Sequence, residues 1–211
     1  MINYYFQNIW FKFKVNKEVF SPKGIDQGTE ALLNTVIFRP EDKVLDLGCG
    51  YGIVGIIASK FVGEANVYMS DISETATLLT EENARLNGMI KPKVILSNGF
   101  SNIETSEFTL ILSNPPYHED FKVPKEFIEK GYHHLKLGGR MYMVTKRKLW
   151  YKNKFIRVFG GVKIYEKYGY YIFEGEKKGK ALKIIKHKNQ MSKKLQRKQR
   201  RQFKDKDSSK D

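Results

Sequence analysis

The fold is decided by residues 43–61, which read KVLDLGCGYGIVGIIASKF. The apolar run at 43–47 predicts a buried strand, and residues 52–61 predict a helix. Between them, the glycines at positions 48, 50 and 52 predict a tight turn, because glycine accepts backbone angles that other residues avoid. A buried strand that passes through a glycine turn into a helix is typical of an α/β sheet.

The same alternation of strand and helix continues downstream. Further strands are predicted at 65–71, 93–98, 108–117 and 138–146, and helices at 73–88, 124–135 and 146–160. Residues 162–167 and 170–175 predict two strands joined at Tyr168-Gly169. The fold class expected is therefore α/β, a doubly wound, mostly parallel seven-stranded sheet that ends in an antiparallel C-terminal hairpin.

A small N-terminal β cap is predicted within residues 1–22. Apolar residues alternate with polar ones at Ile9, Phe11, Phe13 and Val15. This period of two predicts a half-buried strand, and a second short strand is predicted at residues 19–20. Asp26 or Thr29 is expected to cap a helix that runs to Phe38, just before Arg39-Pro40.

Charge divides the chain into a body, residues 1–176, and a tail, residues 177–211. The tail holds 15 Lys or Arg and 3 Asp, a net charge of +12, which leaves +3 of the total +15 for the body. Few apolar residues occur beyond residue 190, so this basic tail is expected to be disordered. It is expected to bind a polyanion; the alternative is a solvated tail that aids solubility.

The composition also excludes several classes of protein. The one cysteine, Cys49, cannot form an intramolecular disulfide. No signal peptide and no apolar run of transmembrane length is recognisable, so no membrane partner and a cytoplasmic location are expected. His133 and His134 are adjacent and have no cysteine or acidic cluster beside them, so no metal site is expected.

The glycine turn predicts a nucleotide-like cofactor at the start of the helix at 52–61. Asp46 precedes the turn, and Asp71 ends the next strand, where a carboxylate can accept hydrogen bonds from ribose hydroxyls. Residues 50–55 also match GxGxxG, which makes a dinucleotide-dependent oxidoreductase an alternative. Two features favour another cofactor. A dinucleotide turn begins directly after the strand, whereas here further residues intervene, and no second domain is recognisable that would hold a reducible substrate.

A second chemical signal is the corner Asn114-Pro115-Pro116-Tyr117, which follows the apolar run at 109–112. The prolines lack N–H donors, so the corner offers backbone carbonyls together with the side-chain carbonyl of Asn114. Such acceptors suit a planar NH₂ group, and Tyr117 could stack on a base. These four residues are the candidate catalytic residues.

Together these motifs resemble class I S-adenosylmethionine-dependent methyltransferases that act on amino groups. The stretch FSPKGIDQGT (20–29) narrows the likeness: the chain is similar to the "methyltransferase small" domain of bacterial 16S ribosomal RNA guanine-N2 methyltransferases. The resemblance covers residues 3–176. It implies S-adenosylmethionine as cofactor and guanine N2 of ribosomal RNA as the acceptor, with RNA or a ribosomal subunit as partner.

The resemblance also implies which residues bind the cofactor. Asp46, Gly48 and Gly50 would surround the methionine part, Asp71 the ribose, and Ile72 the adenine. The full implied set is Gly28, Thr29, Asp46, Gly48, Cys49, Gly50, Gly52, Asp71, Ile72, Asn98 and Gly99. Asn98 stands where related enzymes often have aspartate, and its side-chain carbonyl oxygen would still pair with the adenine amine.

Three other functions remain open from the sequence. An adenine-N6 methyltransferase of RNA or DNA, and a protein glutamine-N5 methyltransferase, would use the same corner for a similar NH₂ group. A catalytically silent RNA-binding module is the non-enzyme alternative, although an intact corner and an intact glycine turn argue against it.

Overall fold

The computed structural model describes residues 1–16, 24–115 and 121–179. Its strands are β1 (Ile2–Phe6), β2 (Ile9–Phe13), β3 (Val44–Leu47), β4 (Val67–Asp71), β5 (Lys93–Leu96), β6 (Phe108–Ser113), β7 (Leu135–Thr145), β8 (Lys163–Lys167) and β9 (Tyr170–Glu176). Its helices are α1 (Gln27–Leu33), α2 (Ile53–Val62), α3 (Glu74–Leu86), α4 (Lys122–His134) and α5 (Lys148–Phe159), with a short 3-10 helix at Glu64–Asn66. The predicted strand at 19–20, Pro116, Tyr117 and the tail beyond residue 179 lie outside these ranges.

Seven strands form the main sheet in the order β5-β4-β3-β6-β7-β9-β8. The first five are parallel, whereas β9 runs antiparallel to both β7 and β8. The prediction of a doubly wound sheet with an antiparallel C-terminal hairpin is confirmed. Because the order reverses between β3 and β6, these two strands flank the switch point where α/β sheets bind ligands.

Helices cover both faces of the sheet and enclose two apolar cores. One core joins α1 and α2 to the sheet through fully buried residues such as Leu32 and Ile56. The other joins α4 and α5 to the opposite face through Ile128 and Phe155. The strands between them are mostly apolar, and in β6 every residue is buried, as expected for a sheet covered on both sides.

The N-terminal cap is a hairpin of β1 and β2, in which Ile2 pairs with Phe13. A two-strand cap is therefore confirmed, but the partner of the predicted 9–15 strand lies before it in the chain, at Ile2–Phe6. Gln7 and Asn8 form its turn with φ of 43° and 66°, the left-handed pair that a two-residue hairpin needs. Phe13 is completely buried in the main core, so the cap is part of it.

Helix α1 is shorter than the sequence predicts. Its N-cap is Asp26, whose carboxylate accepts a 2.9 Å hydrogen bond from the Thr29 N–H, but it ends at Leu33 rather than at Phe38. The next turn contains the β-branched residues at 35–37, which lose side-chain freedom in a helix. Periodicity alone did not predict this early end.

Candidate active site

A crevice opens at the carboxyl ends of β3, β4, β5 and β6, on both sides of the switch point. Its volume is about 280 Å³, close to the lower end of the usual range of small-molecule sites, which starts at about 300 Å³. The lining residues are Leu47, Gly48, Gly50, Ser70, Asp71, Ile72, Ser97, Asn98, Gly99, Asn114, Pro115, Val123 and Phe127. A smaller cleft of about 40 Å³ adjoins it and shares Gly48, Gly50 and Asn114. The sequence thus predicted most of the wall.

The floor of the crevice is the glycine turn. Gly48 and Gly50 have φ of 76° and 58°, a region that strains other residues. A Cβ atom at Gly50 would meet no atom within 4 Å, so the turn leaves space where a ligand could approach the backbone. The Gly50 N–H donates a 2.9 Å hydrogen bond to Asp71, and its carbonyl accepts from the Thr80 hydroxyl. The turn is therefore fixed to β4 and α3.

Gly52 and Gly55 have a different reason to be glycine. A Cβ atom at Gly52, which has φ of 88°, would lie 2.8 Å from a methyl carbon of Thr80. At Gly55 it would lie 2.3 Å from Met69 of β4. These two positions let α2 pack closely on the sheet and α3, whereas Gly48 and Gly50 form the cavity wall. Gly52 lines neither cavity, so its role in cofactor binding stays a prediction.

Asp46 lies beneath the turn and lines the smaller cleft with Thr29. Its side chain is 3% exposed, and one carboxylate oxygen accepts a 2.9 Å hydrogen bond from the Gly55 N–H. Burial raises the pKa of Asp46 to about 7; the Gly55 hydrogen bond lowers it and the nearby Asp71 raises it. A cation in the cleft, such as the ammonium of an amino acid, would favour the ionised carboxylate.

The opposite wall offers polar groups of several kinds. Both carboxylate oxygens of Asp71 already accept backbone hydrogen bonds, from Gly50 and Ser73, which hold it at the cavity rim. Ile72, 66% exposed, lies beside it, where an apolar side chain could cover a flat ring. The buried Ser70 hydroxyl lines the same cavity and has no hydrogen-bond partner among the described residues. An unsatisfied buried hydroxyl in the wall fits a site built for a polar ligand.

Asn114 stands between the two cavities, directly after β6. Its amide nitrogen donates to Asp26 at 2.8 Å and to the Thr29 hydroxyl at 2.9 Å. These two bonds determine which way the amide faces, because its nitrogen points to α1 and its oxygen to the other side. The sequence predicted Asn114 but not its dependence on Asp26; the N-capping pattern at Asp26 was the one available signal.

Helix α4 supplies a wall that the sequence analysis missed. Val123 and Phe127, four residues apart on one helix face, line the crevice. The Phe127 ring lies close to the glycines: a Cβ atom would approach it to 3.9 Å at Gly48 and to 3.3 Å at Gly99. The only sequence signal was that this helix follows the proline corner directly. At Gly99, a side chain would be disfavoured both by the nearby Phe127 ring and by the φ of 56°.

The remaining predicted residues fall outside the crevice wall or outside the described chain. Gly28 is buried in the first turn of α1. Cys49 lines the smaller cleft, and burial raises the pKa of its thiol well above the ordinary value, which suits a small turn residue rather than a nucleophile. Pro116 and Tyr117 lie in the undescribed segment 116–120.

Two further searches covered the described residues. Among residues 1–16, 24–115 and 121–179, no group of His, Cys, Asp or Glu side chains could hold a metal ion. Within the same ranges, none of the helices has both the length and the apolar character to cross a membrane.

The chain is similar to known methyltransferases. Residues 10–174 match the model of the methyltransferase small domain. The chain is 34% identical to "Uncharacterized protein YbxB" of Bacillus subtilis, a match that covers 79% of this chain and 86% of that protein. It is 36% identical to ribosomal RNA small subunit methyltransferase C of Mannheimia succiniciproducens, over 69% of this chain and 44% of the relative.

A solved structure shares the fold. The T. Thermophilus 16S rRNA N2 G1207 methyltransferase (RsmC), in complex with AdoMet and guanosine, aligns with a TM-score of 0.77 and 22% identity. The alignment covers 84% of this chain and 50% of that one. The chain thus spans about half the length of these ribosomal RNA methyltransferases. The glycine turn, Asp71 and Asn114 lie within residues 10–174, which match the family model. The chain therefore belongs to the methyltransferase small domain family of S-adenosylmethionine-dependent enzymes.

Proposed function

We propose that this protein transfers a methyl group from S-adenosylmethionine to the exocyclic N2 of a guanine in small-subunit ribosomal RNA. The observation that carries the proposal is the orientation of Asn114. Asp26 and Thr29 hold its amide nitrogen, so the acceptor oxygen of this side chain, which lines both cavities, is turned away from α1.

The crevice fits the cofactor in its parts. Asp46 beside the smaller cleft suits the ammonium of the methionine portion, and Asp71 suits the ribose hydroxyls. Ile72 and Phe127 provide apolar surface for the adenine, and the open space over Gly50 admits a ligand against the backbone. When bound, S-adenosylmethionine supplies an electrophilic methyl group on a sulfonium sulfur.

The chain's own contribution is to position the acceptor nitrogen. The Asn114 carbonyl and the Pro115 backbone carbonyl would accept the two hydrogens of the target NH₂, which draws that nitrogen towards tetrahedral geometry. Its lone pair would then point along the axis of transfer. As the N–C bond forms and the S–C bond breaks, the amine would become cationic and release a proton to solvent. Placement of this kind is worth about several powers of ten in rate.

Guanine N2 is preferred over the other NH₂ acceptors because of the relatives. Two of those compared, the Mannheimia and T. Thermophilus proteins, are named as small-subunit ribosomal RNA methyltransferases, the latter at N2. Adenine N6 and the glutamine amide present a similar group to the same corner, so they are the competing acceptors. The protein is proposed to act in the cytoplasm, where ribosomal RNA is found.

The test combines two measurements. Calorimetry with S-adenosylmethionine should give saturable binding, and nucleosides from cells that lack this protein should lose an N2-methylguanosine signal from small-subunit RNA. Loss of N6-methyladenosine or of a methylated glutamine instead would reassign the acceptor. Absence of cofactor binding would reject methyl transfer altogether.

A further inference from the structure

Three consecutive exposed cations, Lys146, Arg147 and Lys148, form what we call the basic rim. The rim follows β7 directly, at the same edge of the sheet as the candidate active site. Ser113, the last residue of β6, pairs with Met143 in parallel register, so Asn114 and Pro115 leave the sheet beside the last two residues of β7, just before the rim. Neighbouring strands are about 4.8 Å apart, so the rim starts next to the acceptor corner.

Aromatic rings lie under all three cations of the basic rim. The Lys146 and Lys148 ammonium groups lie 4.8 and 4.6 Å from the ring centres of Tyr170 and Tyr171. The Arg147 guanidinium lies 4.9 Å from the ring centre of Phe121, which stacks in turn on Trp150 at 4.5 Å. Contacts of this kind hold the side-chain stems in place while the three residues remain exposed.

Among the described residues, ion pairs neutralise little of the charge of the basic rim. In the described part of the chain, neither Lys146 nor Arg147 has an ion-pair partner, and Lys148 has one loose contact with Glu166 at 3.9 Å. Both of those side chains are more than half exposed, so that pair contributes little. Nor does the charge stabilise α5, because cations at the start of a helix oppose its dipole, and its first turn has no acidic residue.

We propose that the basic rim binds the phosphates of single-stranded RNA that flanks the target nucleotide. This inference rests on the proposed function. A base whose exocyclic amine is to reach Asn114 must leave its RNA helix. The nucleotides beside that base then pass over the edge of the sheet where the basic rim lies. Lys146 and Arg147 are exposed cations at that edge, and cations on fixed stems bind phosphate with little loss of entropy.

The test compares two double variants of the full chain. The rim variant carries Lys146→Gln and Arg147→Gln. Its matched control carries Lys136→Gln and Lys178→Gln, two exposed lysines at the opposite edge, beside the other end of β7. Both lose two charges and keep residues 179–211 unchanged. Thermal unfolding and S-adenosylmethionine calorimetry verify that each folds and binds cofactor as the wild type does.

The measurements are binding of a short, fluorescein-labelled, mixed-sequence single-stranded RNA over a range of salt, and the KM for small-subunit RNA from cells lacking the protein. We expect the rim variant to bind about tenfold more weakly, with a raised KM and a nearly unchanged kcat. Its salt slope should flatten by about 0.7 per lost phosphate contact. The control should stay near wild type.

Two results would reject the inference in different ways. If wild type methylates RNA and the rim variant matches the control in affinity, KM and salt slope, the basic rim does not bind the substrate and the proposed function stands. If wild type binds S-adenosylmethionine but methylates no RNA, the proposed function itself fails. Should the rim variant unfold, Arg147→Lys against Arg147→Gln repeats the comparison with a smaller change.

Discussion

At the scale of single residues, the candidate site depends on contacts between residues that are far apart in the sequence. Asp26 and Asn114 are 88 positions apart, yet the carboxylate of one determines the orientation of the other's amide. A sequence motif predicts the identity of Asn114, since the Pro-Pro corner is local. It cannot predict the partner, because that contact exists only once α1 packs beside the end of β6.

Asp26→Ala should therefore lower kcat by about one to two powers of ten while S-adenosylmethionine affinity stays near wild type. Loss of the helix N-cap should also cost about 1 kcal/mol of stability. Asp26→Asn is the control, because its amide oxygen can still accept from Thr29 and Asn114. Steady-state kinetics and calorimetry measure both, and equal kcat values in the two variants would contradict the positioning role.

Asn114→Ala should keep cofactor binding and lose turnover by more than about a hundredfold, because the side-chain acceptor for the target NH₂ is gone. Single-turnover methyl transfer, measured beside calorimetry, separates the two effects. Turnover near the wild-type rate would remove this corner as the site of chemistry.

The raised pKa of Asp46 predicts a stability that depends on pH. A buried acid with a pKa of about 7 is protonated in the folded state, whereas in the unfolded chain it ionises near 4. Its contribution to stability is full below about pH 4 and is lost as pH rises towards 7. Asp46→Asn lacks this titration, so relative to wild type it should gain more than about 1 kcal/mol between pH 5 and pH 8.

Denaturant unfolding of both proteins without cofactor, at the two pH values, measures this difference. The same variant should bind S-adenosylmethionine more weakly at pH 8, since it has lost the carboxylate that suits the ammonium. A stability difference that does not change with pH would contradict the buried, proton-binding state of Asp46.

At the scale of elements, local patterns predicted the strands and helices of the main sheet well. Hydrophobic runs and glycine stops carry this information, as in β3 and the turn after it. The end of α1 and the order of the cap strands were missed, because tertiary contacts decide both. The cap is held by Asn83 of α3 and by Asn87, the C-cap of that helix. Both exchange hydrogen bonds with the backbone of β2 and the residue after it.

Asn83→Ala should reduce the unfolding free energy by about 2–3 kcal/mol. Its side chain accepts from the Lys14 N–H at 2.7 Å and donates to the carbonyls of Lys14 and Tyr51, each at 2.9 Å. The Tyr51 contact ties the cap to the glycine turn, so cofactor affinity should fall as well. Asn87→Ala, at a more exposed position, is the control. It should reduce the unfolding free energy by less, as measured by urea titration, and leave cofactor affinity unchanged.

At the scale of the whole molecule, charge separates the body from the tail. Residues 189–211 contain nine Lys or Arg and three Asp, so this separation of charge can be recognised from the sequence alone. The position of the crevice also followed from sequence, because parallel strands end at one edge of a sheet. The wall formed by α4 and the neighbours of Asn114 did not follow, since both depend on how distant helices pack.

Deletion of residues 189–211 should weaken RNA binding and flatten its dependence on salt, while S-adenosylmethionine binding stays unchanged. Anisotropy titrations over a range of salt measure the slope. Replacement of the segment by a neutral Gly/Ser chain of equal length is the control for size. A slope equal to that of the full chain would mean that the tail makes no phosphate contacts.

The attachment of the N-terminal hairpin to α3 has a consequence for the order of folding. The hairpin forms from local contacts, but its partners Asn83 and Asn87 are 69 and 75 positions further along the chain. During synthesis, Phe11 and Phe13 are made long before the surface that buries them. We therefore expect the hairpin to dock late, in a long-range step that completes the core and fixes the glycine turn.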